Sequence, residues 1–171
     1  MKEDFIKDFI PPKIENAHGV LVKLLKDKGL KISVAESFTG GNICAKITSV
    51  SGASSVFYEG IIAYNEKAKI GRLSVDESTL KKCYPVSKEV ASQMANGLIS
   101  SGNCDLAIST TGIAGPNSDE SGFPVGLCFI GVSFKGKTTV YEYNLNGNRQ
   151  ENVSCGVQLA LNIAINTLKN I

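Results

Sequence analysis

A chain of 171 residues, 43% hydrophobic and 20% charged, is long enough to enclose a core, and one domain over residues 1–171 is the expected count. A net charge of +2, without an arginine-rich stripe or interleaved aromatic and basic residues, argues against a nucleic-acid partner. No apolar run is long enough to span a bilayer, and the charged start Met1-Lys2-Glu3-Asp4-Phe5 is no signal peptide, so no membrane partner is expected.

Residues 1–11 read as a leader that packs loosely or frays, ended by Pro11-Pro12. Ile14, Ala17, Leu21, Leu24 and Leu25 recur at helical spacing, and Gly29 stops that helix. A short apolar strand over 32–35 follows, then Glu36-Ser37-Phe38-Thr39-Gly40-Gly41, then a helix with Ile43, Ile47 and Val50 on one face, closed by Gly52. This is strand, sharp turn, helix. A serine on such a turn stands proud of the backbone, and paired glycines let main-chain N–H groups point at whatever binds beside it. Ser37 is therefore the candidate nucleophile.

Residues 57–64 read as a second strand, followed by short helices after Asn65 and over 76–82, the latter capped by Asp76. Ser87 caps a longer helix with Val90, Met94 and Leu98 inward, ended by Gly102. Leu106-Ala107-Ile108 forms a compact strand leading into a Thr110-Thr111-Gly112-Ile113-Ala114-Gly115-Pro116 loop. Residues 117–122 are polar and read as mobile. Strands over 126–134 and 138–145 form a hairpin, and the last helix starts near Arg149 with Val153, Val157, Ala160, Ala164 and Leu168 inward. This order predicts an α/β fold, with helices on both faces of a mixed, mostly parallel sheet of about five strands. Ligands in such sheets sit beyond the carboxyl ends of parallel strands, which brings the two glycine-containing loops to one crevice.

The cysteines, five and scattered, form no CxxC or Cys/His pairing, so neither a metal site nor a disulfide framework is expected. Free thiols in a reducing compartment point to the cytoplasm. The single histidine, His18, lies on the first helix, which excludes a Ser-His-Asp triad unless that helix folds into the crevice. A serine without histidine needs another base. A lysine serves when its pKa falls toward neutrality by burial. Lys67 and Lys69 stand near the second strand's end; two residues apart, they face different ways, and spacing leaves the choice open. Glu36 either accepts backbone N–H bonds to hold the turn or touches substrate. Phe5 and Phe9, four apart in the leader, suggest a contact surface through which a chain of this size pairs as a homodimer.

Four motifs in order carry a resemblance: Ala35-Glu36-Ser37-Phe38-Thr39-Gly40-Gly41, Gly60-x-x-x-Tyr64-Asn65-x-x-Ala68-Lys69, Thr111-Gly112-Ile113-Ala114-Gly115-Pro116, and Pro124-Val125-Gly126. Together they resemble the C-terminal domain of the CinA (competence/damage-inducible) family, over nearly the whole chain. The resemblance implies a three-layer α/β/α sandwich. It also implies deamidation of nicotinamide mononucleotide (NMN) to nicotinate mononucleotide and ammonia, in pyridine nucleotide salvage, without a cofactor. In many relatives an N-terminal molybdopterin-binding-like domain precedes this one, and the chain resembles a stand-alone form. The family's serine corresponds to Ser37 and its lysine to Lys69, the choice that spacing left open. Tyr64 would orient or relay a proton in the same cluster, and main-chain N–H groups around residues 39–41 would steady the oxyanion.

Arg149, in Gly147-Asn148-Arg149 where the family often has Gly-x-Arg, would take the 5′-phosphate. Thr111 and the Gly112 to Gly115 loop would hold ribose or phosphate. Phe38 stands where cysteine is common, and Phe123 precedes Pro124 where lysine is frequent, a departure that bears on substrate choice. The competing expectation is a catalytically silent nucleotide-binding module of the same family.

Overall fold

The fold was analysed in a computed structural model, which describes residues 2–170. Its sheet has six strands in the order β1-β6-β5-β4-β2-β3. At its centre β2 (Ile32–Glu36) runs parallel to β4 (Leu106–Gly112) on one side and to β3 (Phe57–Ile62) on the other. All five residues of β2 are buried, as a strand covered on both faces requires. The antiparallel hairpin β5 (Leu127–Phe134) and β6 (Lys137–Asn144) extends the sheet from β4. Lys135 and Gly136 turn it, both with positive φ (49° and 74°), the geometry a tight two-residue hairpin loop needs.

Helices cover both faces, giving the expected sandwich. α1 (Ala17–Lys28), α2 (Asn42–Thr48) and α6 (Arg149–Lys169) enclose Ile32, Val34, Leu106, Ile108 and Ile130. On the opposite face α3 (Glu66–Leu73), α4 (Glu77–Cys83) and α5 (Lys88–Ser100) enclose Ala35 and Ala107. Alternate residues of one strand thus feed two cores. Asp76 and Ser87 cap α4 and α5 as expected, accepting from the N–H groups of Ser78 and Val90. Asn148 and Glu151 close a reciprocal capping box at the start of α6.

Two elements depart from expectation. Residues 1–11 do not simply fray: β1 (Lys2–Lys7) pairs parallel with β6 as the sixth strand. Its sequence gives no apolar alternation because it lies at the sheet's edge with every residue exposed. Lys137 to Asp4 (2.6 Å) and Lys7 to Glu142 (3.1 Å) tie it to β6. Phe9 also leaves the proposed contact surface, packing against the Tyr141 ring at 5.4 Å. β4 runs on to Gly112 instead of stopping at Ile108. Its polar end is buried because each hydroxyl finds an acceptor or a partner, Ser109 on the Ala91 carbonyl and Thr110 against Thr39. Among the described residues no helix is long and apolar enough to cross a membrane.

Candidate active site

The turn after β2 is built around a buried carboxylate. Glu36 has no exposed surface, and its two oxygens accept from the N–H groups of Gly41 (3.0 Å), Ile43 (3.1 Å) and Cys44 (2.8 Å). These are donors that the start of α2 leaves without helical partners, and the partial positive charge there favours an anion. Glu36 therefore holds the turn and does not line the pocket, which removes substrate contact from its two readings. Burial foremost, and the charge of Glu36 beside it, pushes the Cys44 thiol up, so that thiol stays protonated. Glu36→Gln turns an amide N–H₂ toward backbone donors. We expect a loss of about 3 kcal/mol, from charge-assisted bonds of about 1.5–3 kcal/mol each. In a thermal melt that lowers Tm by roughly 6–12 °C.

Gly41 begins α2 at φ 96°, where a Cβ would also lie 2.9 Å from the Ile62 side chain. On the other flank the Phe38 ring is clamped between Gly112 of β4 and Gly156 of α6. A Cβ on either glycine would come within 2.8 Å or 2.6 Å of the ring. Gly112 is thus needed for close packing whether or not a ligand touches it. The Ser37 N–H donates to the Thr110 carbonyl at 2.9 Å, and the Thr39 and Thr110 hydroxyls pair at 2.8 Å. Thr39 is fully buried, so it braces the turn from beneath, whereas Gly40 is exposed.

Held in this way, the Ser37 hydroxyl meets Lys69. Lys69 reaches in from α3 with 2% of its surface exposed, while Lys67 stays exposed. Its Nζ lies 3.0 Å from Ser37 Oγ and 3.0 Å from the Ala63 carbonyl oxygen. Burial lowers its pKa to about 8, against an opposing pull from the Glu66 carboxylate. As an ammonium it donates to both oxygens. As a free amine it keeps an N–H for Ala63 and turns its lone pair to the serine O–H. His18 lines a separate cavity of about 290 Å³ between α1, α2 and α6.

The pair opens into a cavity of about 210 Å³ lined also by Tyr64, Thr111, Gly112 and Arg149. Arg149, the first residue of α6, donates to the Gly115 carbonyl (2.7 Å) and to the Tyr64 hydroxyl (2.9 Å). Tyr64 is 62% exposed, and its hydroxyl meets Arg149 instead of the Ser37–Lys69 pair, which places it at the rim. Gly115 reaches the site through its carbonyl on Arg149. The Thr111 hydroxyl donates to the Pro85 carbonyl at 2.7 Å.

Pro85, Val86 and Asp119 line the same cavity and had not been placed there from the sequence. Nor had Asn152, which is 1% exposed. Its amide donates to the carbonyls of Ala114 (3.1 Å) and Gly147 (2.8 Å), and its oxygen accepts from the Gly147 N–H (3.0 Å). It ties the start of α6, and with it Arg149, to the loop after β4. The signal was available: an asparagine beside the inward Val153 of an apolar helix face is a buried polar group needing partners.

Known proteins with this architecture agree with the motif pattern. The profile of the CinA C-terminal domain matches residues 14–168. A relative from Caldicellulosiruptor saccharolyticus, named a competence-damage inducible protein, is 48% identical over 151 residues, or 88% of this chain and 37% of the relative. The chain thus spans little more than a third of that relative's length. Among solved structures, the competence/damage inducible protein CihA from Agrobacterium tumefaciens is 31% identical, with a TM-score of 0.81 over 92% of this chain and 99% of that one. A CinA superfamily protein from Klebsiella pneumoniae, 24% identical, shares the fold with a TM-score of 0.88 over 92% of this chain and all of that one. With its fold, its motifs and a profile match over most of its length in agreement, the chain belongs to the CinA C-terminal domain family.

Proposed function

We propose that the chain is an amidohydrolase that converts NMN to nicotinate mononucleotide and ammonia through Ser37 and Lys69. The observation that carries this reading is the 3.0 Å approach of a buried lysine amine to a turn serine, in a chain whose one histidine lies elsewhere. Lys69 as free amine takes the Ser37 proton while Oγ attacks the carboxamide carbon. The carbonyl oxygen gains negative charge. Of the turn's main-chain N–H groups, that of Gly41 is engaged by Glu36, and that of Phe38, which lines the cavity beside Ser37, is the donor assigned to this oxygen. Each such donor contributes on the order of 3 kcal/mol of barrier lowering.

Collapse breaks the C–N bond as the Lys69 ammonium returns its proton to the leaving nitrogen, releasing ammonia. Water then adds to the nicotinoyl ester, giving a proton to Lys69, and Ser37 is regenerated by the reverse transfer. All protons move among Ser37, Lys69, the leaving amine and water.

The phosphate of NMN is assigned to Arg149, whose guanidinium sits on the pocket rim at the start of a 21-residue helix. Ammonia release from NMN, measured on the purified chain, tests the activity; binding without release would favour a silent nucleotide-binding module. Arg149→Ala tests the phosphate. We expect KM for NMN to rise by about thirtyfold, the worth of a charge-assisted bond of about 2 kcal/mol, with nicotinamide riboside hydrolysis nearly unchanged. Equal effects on the two substrates reject the assignment.

A further inference from the structure

Beside the Ser37 pocket, and sharing Val86 with it, lies a wider groove of about 550 Å³. Aromatic side chains bound it: Phe5 from β1, Tyr84 from the segment before α5, and Phe123 from the loop before β5. Tyr84 and Phe123 meet edge to face at 5.8 Å, and the Tyr84 ring is 48% exposed. Its backbone lies at φ 63°, ψ 161°, a region that residues with a side chain rarely occupy. Three bonds hold it there: the Tyr84 N–H on the Leu80 carbonyl (3.0 Å), the Thr111 hydroxyl on the Pro85 carbonyl and the Ser87 hydroxyl on the Tyr84 carbonyl (3.0 Å). The strain turns a large ring toward solvent beside the pocket mouth, where a core-packing role would have turned it inward.

The charges of the groove complement a phosphate. Lysines 7, 82 and 88 line it against two glutamates, and both glutamates are engaged, Glu142 by Lys7 (3.1 Å) and Glu89 by Lys88 (3.9 Å). Lys82 makes no ion pair among the described residues. Lys88 lies 4.7 Å above the Phe5 ring, so a cation and aromatic faces share one wall. The catalytic cavity, about 210 Å³, is smaller than the roughly 300–1,000 Å³ of sites that enclose a whole small molecule. A ligand of nucleotide size must therefore extend beyond it, and the groove is the neighbouring cavity that shares Val86 with it.

We propose that this groove binds a phosphorylated aromatic base, so that a dinucleotide with its carboxamide ring at Ser37 seats its second nucleotide against Tyr84, Phe123 and Lys82. The proposal rests on the reading of the Ser37 pocket as the carboxamide site. It makes dinucleotides ligands of the protein alongside NMN.

Direct binding tests it, using the full chain carrying Ser37→Ala to suppress turnover, with calorimetric titration of NMN, AMP and NAD, which is NMN joined to AMP through phosphates. We expect NAD to bind about tenfold more tightly than NMN and to be displaced by both NMN and AMP. Phe123→Ala or Lys82→Glu should each weaken AMP and NAD about fivefold while leaving NMN within about twofold. AMP and NAD binding indifferent to both variants overturns the groove. AMP that binds beside saturating NMN, with NAD gaining nothing, overturns the dinucleotide and leaves free adenylate as the occupant. Hydrolysis of NMN with an inert groove sinks this inference alone; a responsive groove with no ammonia release sinks the amidase reading alone.

Discussion

Ser37→Ala is expected to lower the rate of ammonia release from NMN on the order of ten-thousandfold, as removal of a nucleophile does where a base and an oxyanion site remain. Binding should survive. The serine side chain is small, its backbone N–H stays on the Thr110 carbonyl, and the turn is fixed by Glu36 and Phe38 and not by the hydroxyl. The NMN dissociation constant should therefore stay within about threefold of wild type, because the hydroxyl's interaction strengthens only as the bond forms. Release at the wild-type rate would remove Ser37 from the chemistry. A melting temperature within a few degrees of wild type would show that the loss is not one of folding.

Lys69→Arg carries the second large effect, on the order of a thousandfold or more, and it separates basicity from charge. An arginine cannot give up its proton in the working range, so it offers Ser37 a donor and never an acceptor. The wild type should show kcat/KM rising with pH through about 8, since below that value Lys69 is an ammonium and cannot take the serine proton. Glu66 holds the Lys69 pKa above where burial alone would put it, so Glu66→Gln should move this rising limb to lower pH. Lys69→Arg should lose the limb altogether and stay inactive at high pH. Because serine and lysine act as a unit, the double variant Ser37→Ala/Lys69→Ala should be no slower than the worse single one. A pH profile unchanged in Glu66→Gln and Lys69→Arg would point to another base.

Much of this arrangement is legible in the chain's residues. An apolar run, a Ser before paired glycines and a helical face place Ser37 at a strand end, and the caps Asp76 and Ser87 mark helix starts through local chemistry. Local spacing could not choose between Lys67 and Lys69. What separates them is burial, produced when α3 docks its Leu73 face on α5, and a family pattern was needed to anticipate it. Glu36 was open for a similar reason: an acid beside a nucleophile reads equally as a ligand or as a cap until the start of α2 is seen to close over it. β1 was missed because an exposed edge strand needs no apolar alternation. The polar end of β4 was missed because Ser109, Thr110 and Thr111 find their partners in segments far along the chain. The groove beside the pocket was invisible in principle, since Phe5, Tyr84 and Phe123 meet only through the tertiary fold.

The charged β1 strand has a consequence for the solubility of shortened forms. It shields β6, whose Val140, Tyr141 and Tyr143 are buried within an alternating, β-branched and aromatic run. A fragment beginning after Pro12 would bare that ladder of unpaired amides and carbonyls, the kind of margin along which neighbouring molecules zip together. The lysines and acids of the first seven residues thus act as a sacrificial border, repelling a second chain while satisfying the sheet.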